Sequence, residues 1–172
     1  MDVSALLTDQ ADRIQELYAA ALADLTVEVA HRRPGADASG AGGNPIVWLL
    51  WHIARVQDDH VAALAGVPQA WRDWEERFGL PLDRDDFGYG HTDAEVDLVR
   101  VEDLDLLAGY HRDVHALTRA YVEGCDEREL DRVVDEAWDP PVTAGVRLVS
   151  VVGDCLQHLG QAAYLRGLLE SD

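Results

Sequence analysis

Lysine is missing from this chain of 172 residues, and all 14 of its basic side chains are arginine, against 33 acidic ones. The formal net charge is −19, a surface that repels phosphate backbones and anionic lipids, so no nucleic-acid or membrane partner is expected. Cysteine is scarce. Cys125 lies at a predicted helix end and Cys155 inside a helix, too few for a disulfide framework, and both read as reduced thiols. No apolar run approaches the roughly 20 residues that span a bilayer. The start, Met1-Asp2-Val3-Ser4, lacks a basic region and an apolar stretch, so no signal peptide is expected and the predicted location is cytoplasmic. Gly-rich phosphate loops, a serine nucleophile elbow and Cys-x-x-Cys are all absent, which leaves phosphoryl transfer, hydride transfer and disulfide exchange without local support.

What is present is helical periodicity. Leu6, Leu7, Ala11, Ile14, Leu17, Tyr18, Ala21, Leu22 and Leu25 recur at three- and four-residue steps, predicting a first helix over 4–30. Residues 31–43, broken by Pro34 and several glycines, read as a flexible loop. Asn44-Pro45 predicts the start of a second helix, with Asn44 as cap, running to about Ala65 and stopping at Gly66. Residues 67–100 read as a long connection with a short helix over 68–77. A third helix is predicted over 101–123, and a fourth over 144–169 capped by Thr143. No strand pattern emerges. Helices of about 22 to 27 residues, roughly 33 to 40 Å long, predict an all-α four-helix bundle formed by a single domain over 1–172. The connection between helices 2 and 3 is long enough to cross the bundle, so those two helices are expected to run parallel.

Chemistry concentrates on helices 2 and 4. With His52 as reference, Asp59 lies about 20° away around helix 2, Trp48 about 40° and Arg55 about 60°. Asp154 and His158 are four residues apart and share one face of helix 4, along with Arg147 and Gln161. A carboxylate among apolar neighbours is costly unless paired or metal-bound. Two imidazoles and one carboxylate from facing helices suit a divalent metal with an open position. The alternative is a structural His–Asp pair, since such i, i+4 pairs are common on helices. The competing pair His111 and His115 on helix 3 reads as boundary histidines at a partly wet surface. His31 and His91 fall in loops, where nothing distinguishes them.

Together, Asn44-Pro45-Ile46-Val47-Trp48-Leu49-Leu50-Trp51-His52-Ile53-Ala54-Arg55 and Asp154-x-x-x-His158-x-Gly160-Gln161 resemble the DinB/YfiT-like metal-dependent proteins, which include thiol (mycothiol or bacillithiol) S-transferases. Trp138-Asp139-Pro140-Pro141-Val142-Thr143 and Gly145-Val146-Arg147-Leu148-Val149-Ser150 are similar to an actinobacterial branch. The resemblance implies a four-helix bundle, often a homodimer, holding one divalent metal through three side chains, here His52, Asp154 and His158. Many members carry histidine where this chain has Asp154; the mycothiol-dependent maleylpyruvate isomerases, which resemble it in having a carboxylate there, also carry a second domain that this chain is too short to contain. The expected function is a metal-dependent S-transferase activating a low-molecular-weight thiol, mycothiol, for attack on an electrophile. Zinc is the expected metal, with nickel an alternative, and Trp48, Arg55, Asp59 and Gln161 are the expected substrate-binding side chains. The rival reading is a non-catalytic metal-binding bundle serving as a small-molecule sensor or stress-response protein.

Overall fold

The structure is a computed structural model that describes residues 2–35 and 42–170. The first helical stretch divides in two. Helix α1 spans Val3–Leu22, with the Asp2 carboxylate accepting the Ala5 N–H at 2.8 Å, and α2 spans Val27–His31. Between them Asp24 adopts a left-handed φ of 58° and the Thr26 hydroxyl caps the new helix. Asp tolerates that conformation better than most side chains. The expected single helix over 4–30 is thereby corrected: apolar spacing continues across the break, whereas the backbone turns there to bring Leu25 against the core. The loop predicted over 31–43 lies partly outside the described residues.

Helix α3 spans Ile46–Ala65 and starts one residue later than expected, with Pro45 rather than Asn44 at the cap position. It ends at Gly66, whose φ of 67° closes the last turn. Its buried residues include His52, Arg55, Gln57 and Asp58, so this helix is enclosed on nearly every side. The long connection carries a 3-10 turn at Ala70–Asp73, α4 at Glu75–Phe78 and α5 at Asp93–Val96. Trp71, Trp74 and Phe78 pack into the core there. Asp58, fully buried, anchors this segment by accepting the N–H groups of Ala70 and Trp71 at 2.9 and 2.8 Å and the Tyr110 hydroxyl at 2.8 Å.

Helix α6 spans Asp105–Val122 and α7 spans Glu127–Leu130. A short hairpin then pairs β1, Val133–Asp135, with β2, Val142–Thr143, antiparallel. The sequence reading found no strands; two of three and two residues are too short to show a period of two. Helix α8, Ala144–Leu169, starts as predicted, the Thr143 hydroxyl accepting the Val146 N–H at 3.3 Å.

Pairings along the helices give the directions. Ala54 and Asp58 meet Tyr110, while Leu64 lies beside Leu117 and Tyr121, so α3 and α6 run parallel. Residues 52 and 154 meet on α3 and α8, as do the walls formed by Leu49 and Leu165, so these two are antiparallel. Gln15 meets His111 and Asp12 meets Arg119, so α1 and α6 are antiparallel as well. The result is an all-α four-helix bundle in which the 67–104 segment crosses its length.

Candidate metal centre

His52, Asp154 and His158 converge, with one ligand-type atom from each lying within 4.8 Å of the others. Asp154 Oδ2 is 3.8 Å from His52 Nε2, and Asp154 Oδ1 is 3.5 Å from His158 Nε2. The two imidazoles meet edge to face with centroids 5.0 Å apart. His52 comes from the enclosed helix α3 and is almost wholly covered, whereas Asp154 and His158 on α8 are partly open to solvent. The group therefore has a closed back and an accessible front.

The outer nitrogens of both rings are engaged. His52 Nδ1 meets the Phe87 carbonyl, which can only accept, so the proton sits on Nδ1 and the Nε2 lone pair faces Asp154. His158 Nδ1 lies 2.8 Å from Gln161 Oε1 and donates to it, which turns its own Nε2 inward. Asp154 Oδ2 is buried without a hydrogen-bond partner among the described residues. A carboxylate with one buried oxygen lacking a donor and an imidazole nitrogen opposite each of its oxygens is an arrangement that a cation completes. The residues present fit a divalent metal held by two histidines and a carboxylate.

The three groups hold protons unevenly. Burial pushes the His52 pKa down despite the Phe87 carbonyl and Asp154. The hydrogen bond that the protonated ring donates to Asp154 holds His158 above its ordinary value against burial. For Asp154 burial pushes upward, but the His158 hydrogen bond and the charge of His52 outweigh it and leave the carboxyl low. At neutral pH the carboxylate is thus charged and available.

The expected substrate-binding residues separate into three groups. Trp48 lies flat against His52, centroids 4.7 Å apart and nearly parallel, and walls the site. Gln161 holds His158 and lines a cavity of about 450 Å³ with Asn44, Leu49 and Tyr164. Asp59 lines another of about 460 Å³ with His60 and Arg147, and pairs with His60 at 3.2 Å. His60, through this pair, holds the Asp59 carboxyl below its usual value. Arg55 is a correction. It has no exposed surface, and its guanidinium donates to the Asp86 and Arg84 carbonyls, to Gln69 and to the Tyr110 hydroxyl. It clamps the connection to α3.

His111 is also placed differently from the expectation. It is fully buried, stacked on Tyr18 at 3.8 Å, with Gln15 Oε1 2.7 Å from Nδ1 and Gln57 Oε1 3.2 Å from Nε2. His115 stays at the boundary, paired with Asp12 at 2.9 Å. Neither lies in the three-residue group. Sequence reasoning missed His91, which accepts from Trp48 Nε1 at 3.1 Å and approaches the Asp86 carboxylate at 2.9 Å. No spacing rule links residues 48, 86 and 91, so no local signal was available.

A surface cavity of about 1000 Å³ lies at the far end of α3 and α6 beside Leu64, Leu117 and Tyr121, and is lined by none of His52, Asp154 and His158. No helix among the described residues is long and apolar enough to cross a membrane. No curated protein matches the chain at a significant level. A crystal structure of a conserved protein from Enterococcus faecalis is similar at 35% identity with a TM-score of 0.88, over 100% of this chain and 99% of that one. A family model of the DinB superfamily matches residues 10–162, a span that contains His52, Asp154, His158 and Gln161. The chain belongs to the DinB superfamily.

Proposed function

We propose that His52, Asp154 and His158 hold one divalent metal ion, zinc or nickel, and that the protein is a metal-dependent S-transferase using a low-molecular-weight thiol such as mycothiol. The observation that supports the metal most directly is the partnerless buried oxygen of Asp154 facing His52. Two imidazoles and a carboxylate leave a position open in the usual zinc geometry. A metal ion there supplies Lewis acidity that lowers the pKa of an entering thiol from about 8.5 toward neutrality.

The chain's own residues do the rest. Trp48 covers one flat face of His52 and keeps water from it. Gln161 and the Phe87 carbonyl hold both rings with their inner nitrogens toward Asp154. The two cavities along α3 and α8 lie on either side of the group, one walled by Leu49 and Tyr164 and the other by Asp59, His60 and Arg147. The first suits an apolar electrophile and the second the polar body of the thiol. His60, its Nδ1 tied to Asp59, gives that second cavity its polar lining together with Arg147.

The test begins with elemental analysis of protein purified without a metal-chelating tag. About one equivalent of divalent metal is expected, and it should be lost in His158→Ala. The loaded protein should then speed conjugation of mycothiol, or a close analogue, to an electrophilic reporter, and His52→Ala should abolish the acceleration. A wild-type protein that neither carries nor takes up metal, or a metal-loaded protein inert toward every bacterial thiol offered, refutes the reading.

A further inference from the structure

Residues 84–91 form a strap across α3 behind the three-residue group. Arg55 fixes its start by donating Nε to the Asp86 carbonyl at 3.0 Å and Nη2 to the Arg84 carbonyl at 3.1 Å. Asp86 fixes its middle: Oδ1 accepts the Gly88 N–H at 2.7 Å, and both carboxylate oxygens lie 2.9 Å from His91 Nε2. His91 Nδ1 in turn accepts the Trp48 indole N–H at 3.1 Å, so this neutral ring carries its proton on Nε2 and donates it to Asp86. The His91 ring stands against both Trp48 and Trp51, with centroids 6.0 Å from each.

The consequence falls on Phe87, which sits between the two anchored residues. Its carbonyl meets His52 Nδ1. Gly88 permits the close approach: at φ +89°, a Cβ there would lie 2.9 Å from His52 Nδ1 and 3.0 Å from the Trp48 ring. A backbone carbonyl is only as well placed as the groups that anchor its neighbours. We infer that Asp86 and His91 are positioning residues for the metal centre, holding the Phe87 carbonyl against His52 so that its Nε2 faces Asp154 and His158. The inference rests on the metal reading above. Neither residue touches that group. Trp48 joins the two parts, since its ring lies on His52 while its N–H anchors His91. Outer partners of metal-bound histidines typically change metal affinity by about 10- to 100-fold when removed.

The experiment titrates cobalt(II) into wild type, Asp86→Asn and His91→Phe, following the visible absorption. Phe keeps a ring between the tryptophans but can neither accept from Trp48 nor donate to Asp86. Both variants should bind cobalt about 10- to 100-fold more weakly, with altered visible bands and unchanged helical circular dichroism. Nitrogen-15 spectra of the metal-free wild type should show His52 protonated at Nδ1, and Asp86→Asn should show a tautomer mixture, a change that loss of packing alone does not produce. Cobalt uptake by wild type with both variants matching its affinity and spectrum overturns the positioning role alone. A wild type that takes up no cobalt overturns the metal reading and this inference together. If His91→Phe does not fold, Asp86→Asn and the wild-type tautomer decide, and His52 protonated at Nε2 overturns the inference.

Discussion

Acid should weaken this fold through the buried ring of His111. Its ring is enclosed between Tyr18, Gln15 and Gln57, and burial pushes its pKa down to about 3, with nearby His115 adding in the same direction. In the unfolded chain the same imidazole titrates near 6.5. The folded state therefore holds it neutral while the unfolded state gains a proton as pH falls. Its contribution is intact above about pH 6.5 and is lost progressively down toward pH 3. From pH 7 to pH 5 the unfolded form gains about 1.5 units at roughly 1.4 kcal/mol each, a loss of about 2 kcal/mol. That figure depends only on the folded pKa lying below 5. Urea unfolding of metal-free wild type and His111→Phe at both pH values measures it. His52 and His158 shift in opposite directions, but both titrate in wild type and variant alike, so the difference between the two proteins isolates His111. Phe preserves the stack on Tyr18 and lowers stability at both pH values by leaving the two amides without a partner. The wild type should lose about 2 kcal/mol more than the variant on going to pH 5. Equal losses in the two proteins would show that His111 gains its proton without unfolding, and would refute the buried, neutral assignment.

Gly88→Ala should lower stability by about 2 to 5 kcal/mol, combining a strained positive φ with overpacking against His52, Trp48 and Trp51, and should weaken metal uptake; an unchanged melting temperature would contradict it. Arg55→Met should cost about 3 to 5 kcal/mol in chemical denaturation, because it leaves buried Asp58 without its nearby cation and frees the strap; a loss below about 1 kcal/mol would mean the clamp carries no weight. The exposed stripe of Val146, Val149, Gly153, Leu156 and Gly160 on α8 supports pairing of two copies, so light scattering at micromolar protein should give a dimer and Gly160→Arg a monomer; a monomeric wild type would reject the pairing.

Periodicity and capping residues made much of the frame legible. Thr143 at the start of α8, Gly66 at the end of α3 and the i, i+4 placement of Asp154 and His158 are local facts, carried by hydrogen bonds within one turn or by the pitch of one helix. The length of the connection, read as 67–100, was enough to anticipate parallel α3 and α6, although α6 starts only at Asp105. Local signals failed where a long-range contact overrode them. The apolar spacing of residues 4–30 continues through a backbone break at Asp24, and β1 and β2 exist only because one segment lies beside the other.

By itself, the sequence determined that this is a helical bundle and named three side chains that the fold brings together. Tertiary structure alone decided what surrounds them. A helical wheel assigns a face, yet α3 is enclosed on almost every side, so Arg55 at about 60° from His52 became a clamp rather than a ligand contact. His111 looked like a border residue because it lies at the edge of the apolar stripe of α6, but Gln15 and Gln57 on two other helices close over it. His91 carried no signal at all: its meaning comes from Trp48 and Asp86, which the chain brings together only after the connection has crossed the bundle. Hydrogen bonds between residues distant in sequence leave no period, so their partners are fixed by packing.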